Sequence, residues 1–148
     1  MDASRVVIDF VRANPERVLE HSPATPEMIR KIERQLGVTL PEDYRRFLTL
    51  WGNLVIDGCY LEYEGVRRTP DGVNYPVVDH TLLCRSAGLP ERFIALAADE
   101  HEGYYCLNTE SPGEMRTFDP VAATLSDPVA PGLFECINCD IEAIPEDV

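Results

Sequence analysis

The stretch "LGVTLPEDYRRFLTLWGN", residues 36–53, decides how the chain begins to fold. Gly37 follows Leu36 where a helix would need a left-handed stop, and Pro41 restarts a helix whose first turn carries Glu42 and Asp43. Tyr44, Phe47, Leu48 and Trp51 then fall on one helical stripe that ends at Gly52, while Arg45 and Arg46 lie off it and face solvent. Upstream, Thr25 is a capping residue, Pro26 suits the first helical position, and Ile29, Ile32 and Leu36 recur at i, i+3 and i+7. Only Val38, Thr39 and Leu40 separate the two helices, so they pack as a tight corner. The aromatic ladder reads as core. It offers no catalytic side chain.

Outward from this corner, "SRVVIDFVRANPERVLEH" places Val7, Phe10 and Val11 at helical spacing before Pro15 interrupts, predicting one short or broken helix, and "SPATP" reads as a linker. Beyond Gly52 the period falls towards two. In "LVIDGCYLEYEG", Leu61 and Tyr63 alternate with Tyr60 and Glu62, and Asp57-Gly58 is a hairpin-turn candidate. "RRTPDGVNYP" reads as a loop, and "VVDHTLLCRSAG" as a strand end, an Asp79 cap, a short helix and a Gly88 stop. Three strand-like pieces follow, "RFIALA", "YYCLN" and "MRTFD", joined by connections of hairpin length that predict an antiparallel meander. The tail from Pro131 starts as a short helix and ends acidic and frayed. Helices first and a meander later define an α+β fold: N-terminal helices on a central, largely antiparallel sheet, in one domain over residues 1–148.

The charge is lopsided. The net value is −13; residues 1–90 carry 13 acids against 11 bases, whereas residues 91–148 carry 13 acids against Arg92 and Arg116 alone. Such a chain repels phosphate backbones, which argues against direct nucleic-acid binding, and it attracts basic proteins. No apolar run reaches the ~20 residues that span a bilayer, and "MDASRVVIDF" lacks the apolar block of a secretion signal, so the expected location is the cytoplasm, away from membranes. Five cysteines, an odd number, are then expected to be reduced, with Cys59, Cys84 and Cys106 as small core residues.

Motifs for chemistry are sparse. No phosphate loop, G-x-G-x-x-G, G-x-S-x-G or H-E-x-x-H is present. His101 in "DEHEG" could join Asp99 and Glu102 around a metal, although a solvated turn is simpler. "CINC", Cys136 to Cys139, has a zinc or redox spacing, yet no second pair completes a zinc site and the motif lies far from an early βαβ unit. The expectation is therefore no enzyme activity, no cofactor and no metal.

"IRKIERQLGVTLPEDYRRFLTLWGN" resembles the signature of the SUKH (Smi/Knr-type) superfamily: an amphipathic helix ending in Leu-Gly, then Leu-Pro, an aromatic, a Phe-Leu pair and a closing Gly. Leu36, Gly37, Leu40, Pro41, Tyr44, Phe47, Leu48 and Gly52 occupy those positions. "VVDHTLLCRSAGLPERFIALA" resembles the family's short helix, Gly-Leu-Pro step and strand, and "GYYCLNTESPGEMRTFDP" its paired strands, so the likeness is strongest over residues 25–120. Departures are Gly103 directly before the tyrosines, Asn108 and Phe118 where the family favours Asp, Asp and Trp, and a C-terminal helix that looks short or irregular. The resemblance implies a toxin-immunity protein that binds a cognate, basic, nuclease-type toxin; its alternative is a regulatory or scaffold domain with an endogenous partner. The partner-binding candidates are Asp57, Glu62, Glu64, Asp99, Glu100, Glu102 and Asp119, with the loop at 99–102 flanking a concave face.

Overall fold

Two glycines with positive φ end the helices of the opening corner, and the rest of the molecule is built against that corner. The computed structural model describes residues 2–99 and 103–145, with Asp99 described through its backbone alone. Helix α1 (Ala3–Ala13) is capped by Asp2, whose carboxylate accepts from the Ser4 amide at 3.0 Å. Helix α2 (Pro26–Leu36) starts at a Thr25 cap and stops at Gly37 with φ +67°; α3 (Glu42–Leu50) starts after Pro41 and is followed by Gly52 with φ +66°. Tyr44, Phe47 and Leu48 are fully buried, and Trp51 meets Phe134 edge to face at 6.3 Å, fixing α3 against the C-terminal helix. The signature residues are scaffold.

Among the described residues, nine strands follow the sequence reading with additions. Strand β1 (Val18–His21) lies at the end of the stretch read as a short or broken helix; it pairs antiparallel with β2 (Leu54–Ile56), so sheet pairing claims these residues. Strand β3 (Glu62–Tyr63) pairs with β2 through Leu54↔Tyr63, across a connection longer than a two-residue Asp57-Gly58 turn. The expected loop at 67–76 contains a hairpin of its own, β4 (Arg67–Thr69) with β5 (Gly72–Asn74). Strands β6 (Phe93–Asp99), β7 (Gly103–Asn108) and β8 (Met115–Asp119) form the predicted meander, extended by the short β9 (Thr124–Leu125). The main sheet runs β1-β2-β3-β6-β7-β8-β9, every pairing antiparallel. The fold is α+β.

Helix α4 (Pro76–Ser86) begins at Pro76 without an Asp79 cap. It lies where β3 has ended and the edge of β6 would be bare: the buried Thr81 hydroxyl accepts from the Ala95 amide at 2.8 Å. Arg85 ties the same helix to the corner, donating to the Leu36 carbonyl and to the Glu91 carbonyl, each at 2.7 Å. Helix α5 (Leu133–Glu142) corrects the expectation of an irregular C-terminal helix: it is continuous, and Leu133, Phe134 and Ile137 are buried.

The period-two alternation sorts the sheet into two faces. Tyr63, Ala97, Leu107 and Met115 point into the main core with α1, α2, α3 and α5. On the other face, Phe93, Ala95, Cys106 and Phe118 form a smaller core with Cys84 and Leu89 from the end of α4. That second core covers only part of its face.

Candidate functional site

The partly covered outer face is where acidic side chains gather. One row runs across it through the register Glu62↔Ala98↔Tyr104↔Phe118. A second pairing, Glu20↔Val55, continues the face over β1 and β2. A groove of about 340 Å³ opens among Leu19, Val55, Asp57, Glu62 and Ala98, and a cleft of about 400 Å³ lies beyond Tyr104, walled by Phe118, Asp119, Thr124 and Ser126. Leu19 and Tyr60 are exposed apolar residues at the groove. The groove thus sets the exposed apolar Leu19 and Tyr60 beside the carboxylates of Asp57 and Glu62.

Two residues beyond Glu62, which lines the groove, stands Glu64. Its side chain is only 8% exposed, and its Oε2 lies 3.5 Å from His80 Nδ1 without hydrogen-bond geometry. Tyr44 donates to the Glu64 backbone carbonyl at 2.8 Å and the Glu64 amide donates to the Leu96 carbonyl, so the backbone here is fixed from both sides. Burial, offset in part by Arg67 and reinforced by Glu62 and Glu20, pushes the Glu64 carboxyl up to about 7. Burial lowers His80, with Asp79 opposing it. The His80 ring rests against the Tyr104 ring at 5.0 Å between centroids. Arg67, from β4, forms its ion pair with Glu20 across the face.

The predicted site residues are thus distributed unevenly. Asp57 and Glu62 share the groove; Glu64 is on the same face but sunk into it. Asp119 borders the cleft, yet its Oδ1 accepts from the amides of Val121 and Ala122, which commits it to the β8–β9 turn. Glu100 and Glu102, with His101, lie outside the described residues, and Asp99 is placed only as the β6 residue paired with Gly103. Sequence reasoning missed Glu20, Arg67 and Tyr104. Glu20 and Arg67 were hidden because their short strands carry no alternating signal, and Tyr104 because its neighbour Tyr105 points to the opposite face and masks the alternation.

The cysteine motif sits on α5, with Cys136 buried and Cys139 exposed. Burial pushes the Cys136 thiol up to about 11, which disfavours the thiolate that metal or redox chemistry needs. Asp140 accepts from the Tyr60 and Leu61 amides and from the Tyr63 hydroxyl, clamping the β2–β3 connection. Among the described residues no group of three or more His, Cys, Asp or Glu side chains could hold a metal ion. No helix among them is long and apolar enough to cross a membrane.

The SMI1-KNR4 cell-wall family model, SUKH_5, matches residues 5–138, from the first helix to the last. The chain belongs to this family. Among relatives, it is 30% identical over 107 residues to the SPbeta prophage-derived uncharacterized protein YokK of Bacillus subtilis (strain 168), covering 68% of this chain and 52% of that protein. The chain therefore spans about half the length of that relative. In this SMI1-KNR4 chain the signature residues Leu36, Leu40, Tyr44, Phe47 and Leu48 are buried, and Tyr44 reaches the Glu64 backbone from the core side.

Proposed function

We propose that the chain is an immunity protein, a non-catalytic module whose acidic outer sheet face binds a cognate protein toxin in the cytoplasm. Family membership supports a protein partner in a toxin-immunity setting. The observation that carries the reading is the incompletely covered face bearing Glu20, Asp57, Glu62 and Glu64, where Arg67 and His80 are the cationic or proton-accepting counterparts. A nuclease that grips phosphates is basic, so this face complements it and repels nucleic acid itself. Rim carboxylates such as Asp57 and Glu62 act mainly on the association rate. The test is co-expression: a toxin encoded beside this gene should arrest growth alone and not with this protein, and the two should co-purify. Failure of rescue and of co-purification with every adjacent candidate would refute it. The second reading, a regulatory scaffold with an endogenous partner, draws on the cell-wall role in the family's description; it would show as co-purification with a host protein and no rescue.

A further inference from the structure

Glu64 is an acid in an expensive position. More than nine-tenths of its side chain is buried, and among the described residues no donor hydrogen-bonds its carboxylate. Its nearest polar neighbour, His80 Nδ1, is itself buried and unpaired. A carboxylate sunk this far gives up part of its hydration, and a charge-assisted pair would compensate for that loss. Among the described residues the basic group beside it is His80, whose Nδ1 lies 3.5 Å away without making a hydrogen bond. Arg67, the nearest guanidinium, is engaged with Glu20.

The surroundings describe what would. Glu20 from β1 and Glu62 from β3 add negative potential, Arg67 from β4 partly offsets it, and α4 contributes Asp79 and His80. Tyr104 from β7 presents an aromatic ring beside the site, packed against His80. An aromatic wall, a sunken carboxylate and a carboxylate rim match a planar guanidinium, which stacks on rings and pairs with carboxylates in a fork. Glu62, two residues before Glu64 on the same strand run, lines the groove proposed above as the toxin-binding surface.

We propose that Glu64, flanked by His80 and Tyr104, is the anchor pocket for an arginine side chain of the protein partner. This assignment rests on the outer-face reading and adds to it the chemistry of the central contact. Rim acids would steer the partner, and Glu64 would hold it, so its loss should act on dissociation. Binding would also be linked to protons. A guanidinium favours the ionised carboxylate, so capture of the arginine would drive off the proton that Glu64 retains near neutral pH.

The test uses the whole chain and ethylguanidinium chloride as an arginine side-chain probe. The Glu64 carboxyl carbon is followed by NMR through a pH titration, assigned by its disappearance in Glu64→Gln. Sodium chloride and ethylammonium chloride at the same ionic strength serve as controls. The Glu64 midpoint should start at about 7 in sodium chloride. With ethylguanidinium it should fall by about half a unit or more, and the His80 ring resonances should move in wild type but not in Glu64→Gln. The same midpoint in sodium and ethylguanidinium salts would overturn the pocket. An equal fall with ethylammonium would overturn the assignment to arginine. The co-expression test is independent: a guanidinium response without any toxin rescue would refute the immunity role and leave the anchor standing.

Discussion

Gly52 and Gly37 have nearly the same backbone, φ +66° and +67°, in different surroundings, and replacing each by alanine separates conformational strain from steric conflict. Around Gly37 a new Cβ would meet nothing within 4 Å, so Gly37→Ala should cost only the left-handed penalty of about 1 kcal/mol. At Gly52 the same Cβ would stand 1.7 Å from the Ser22 carbonyl oxygen and 2.6 Å from its carbon. Relief to an ordinary contact needs a backbone shift of more than 1 Å between the end of α3 and the segment after β1. That shift strains two hydrogen bonds that join these segments, Ser22 amide to Trp51 carbonyl at 2.6 Å and Ala24 amide to Leu48 carbonyl at 2.8 Å. At about 1 kcal/mol each, added to the left-handed cost, Gly52→Ala should lose about 3–4 kcal/mol. Urea melts followed by far-UV circular dichroism, with a common slope for both variants, give the comparison directly. Equal losses, within about 0.5 kcal/mol, would refute the claim that close backbone approach is what requires glycine at this position.

Other parts of the account are open to separate measurement. Phe47→Ala, at a fully buried ring stacked on Tyr44, and Trp51→Ala should each cost about 3–5 kcal/mol in the same melts, and a loss under about 1 kcal/mol would mean the corner is not core. Glu64 is raised from 4.5 to about 7 in the folded chain, so the folded state holds a proton that the unfolded state has released between those values. Its contribution is therefore fully present below pH 4.5 and is lost as pH rises through about 7. Glu64→Gln should accordingly gain stability relative to wild type on going from pH 4.5 to 8, by on the order of 2–3 kcal/mol, and a constant difference would contradict the burial argument. With a thiol reagent at neutral pH, the exposed Cys139 should react quickly while buried Cys84, Cys106 and Cys136 wait for denaturant; simultaneous reaction of all would mean that the α5 packing is wrong.

The helical corner and the meander were legible because each rests on strong local chemistry: Thr25 with Pro26, Gly37, Pro41 and Gly52 punctuate the helices, and residues 93–119 alternate around turn-length connections. The edges of the sheet were not. Strand β1 is four residues long and exists because β2 offers it a partner, and β4 with β5 is a three-residue hairpin whose second strand is wholly exposed. Non-local pairing of such short pieces leaves almost no trace in periodicity. The site suffered for the same reason. Asp57, Glu62 and Glu64 could be proposed from charge, but the sinking of Glu64 beside His80 depends on α4 filling the edge of β6, and Glu20 and Arg67 arrive on the two unread strands. Charge counting also overweighted the C-terminal half, where Glu114 is occupied by Arg116 and Asn108, and Asp119 and Asp140 are occupied by backbone amides.

The claim that the acidic outer face is the partner surface is tested most directly by charge reversal on both sides of the molecule. Asp57→Lys with Glu62→Lys alters the groove, and Glu27→Lys with Glu42→Lys alters exposed first-turn positions of α2 and α3. Association of each folded protein with the partner that co-purifies in the co-expression test would be measured by stopped flow at low and moderate salt. The groove variant should associate at least about tenfold more slowly at low salt and lose most of the salt dependence, while the helix variant keeps the wild-type slope. Slowing by the helix variant equal to that of the groove variant, or wild-type rates in both, would contradict the assignment of the outer face.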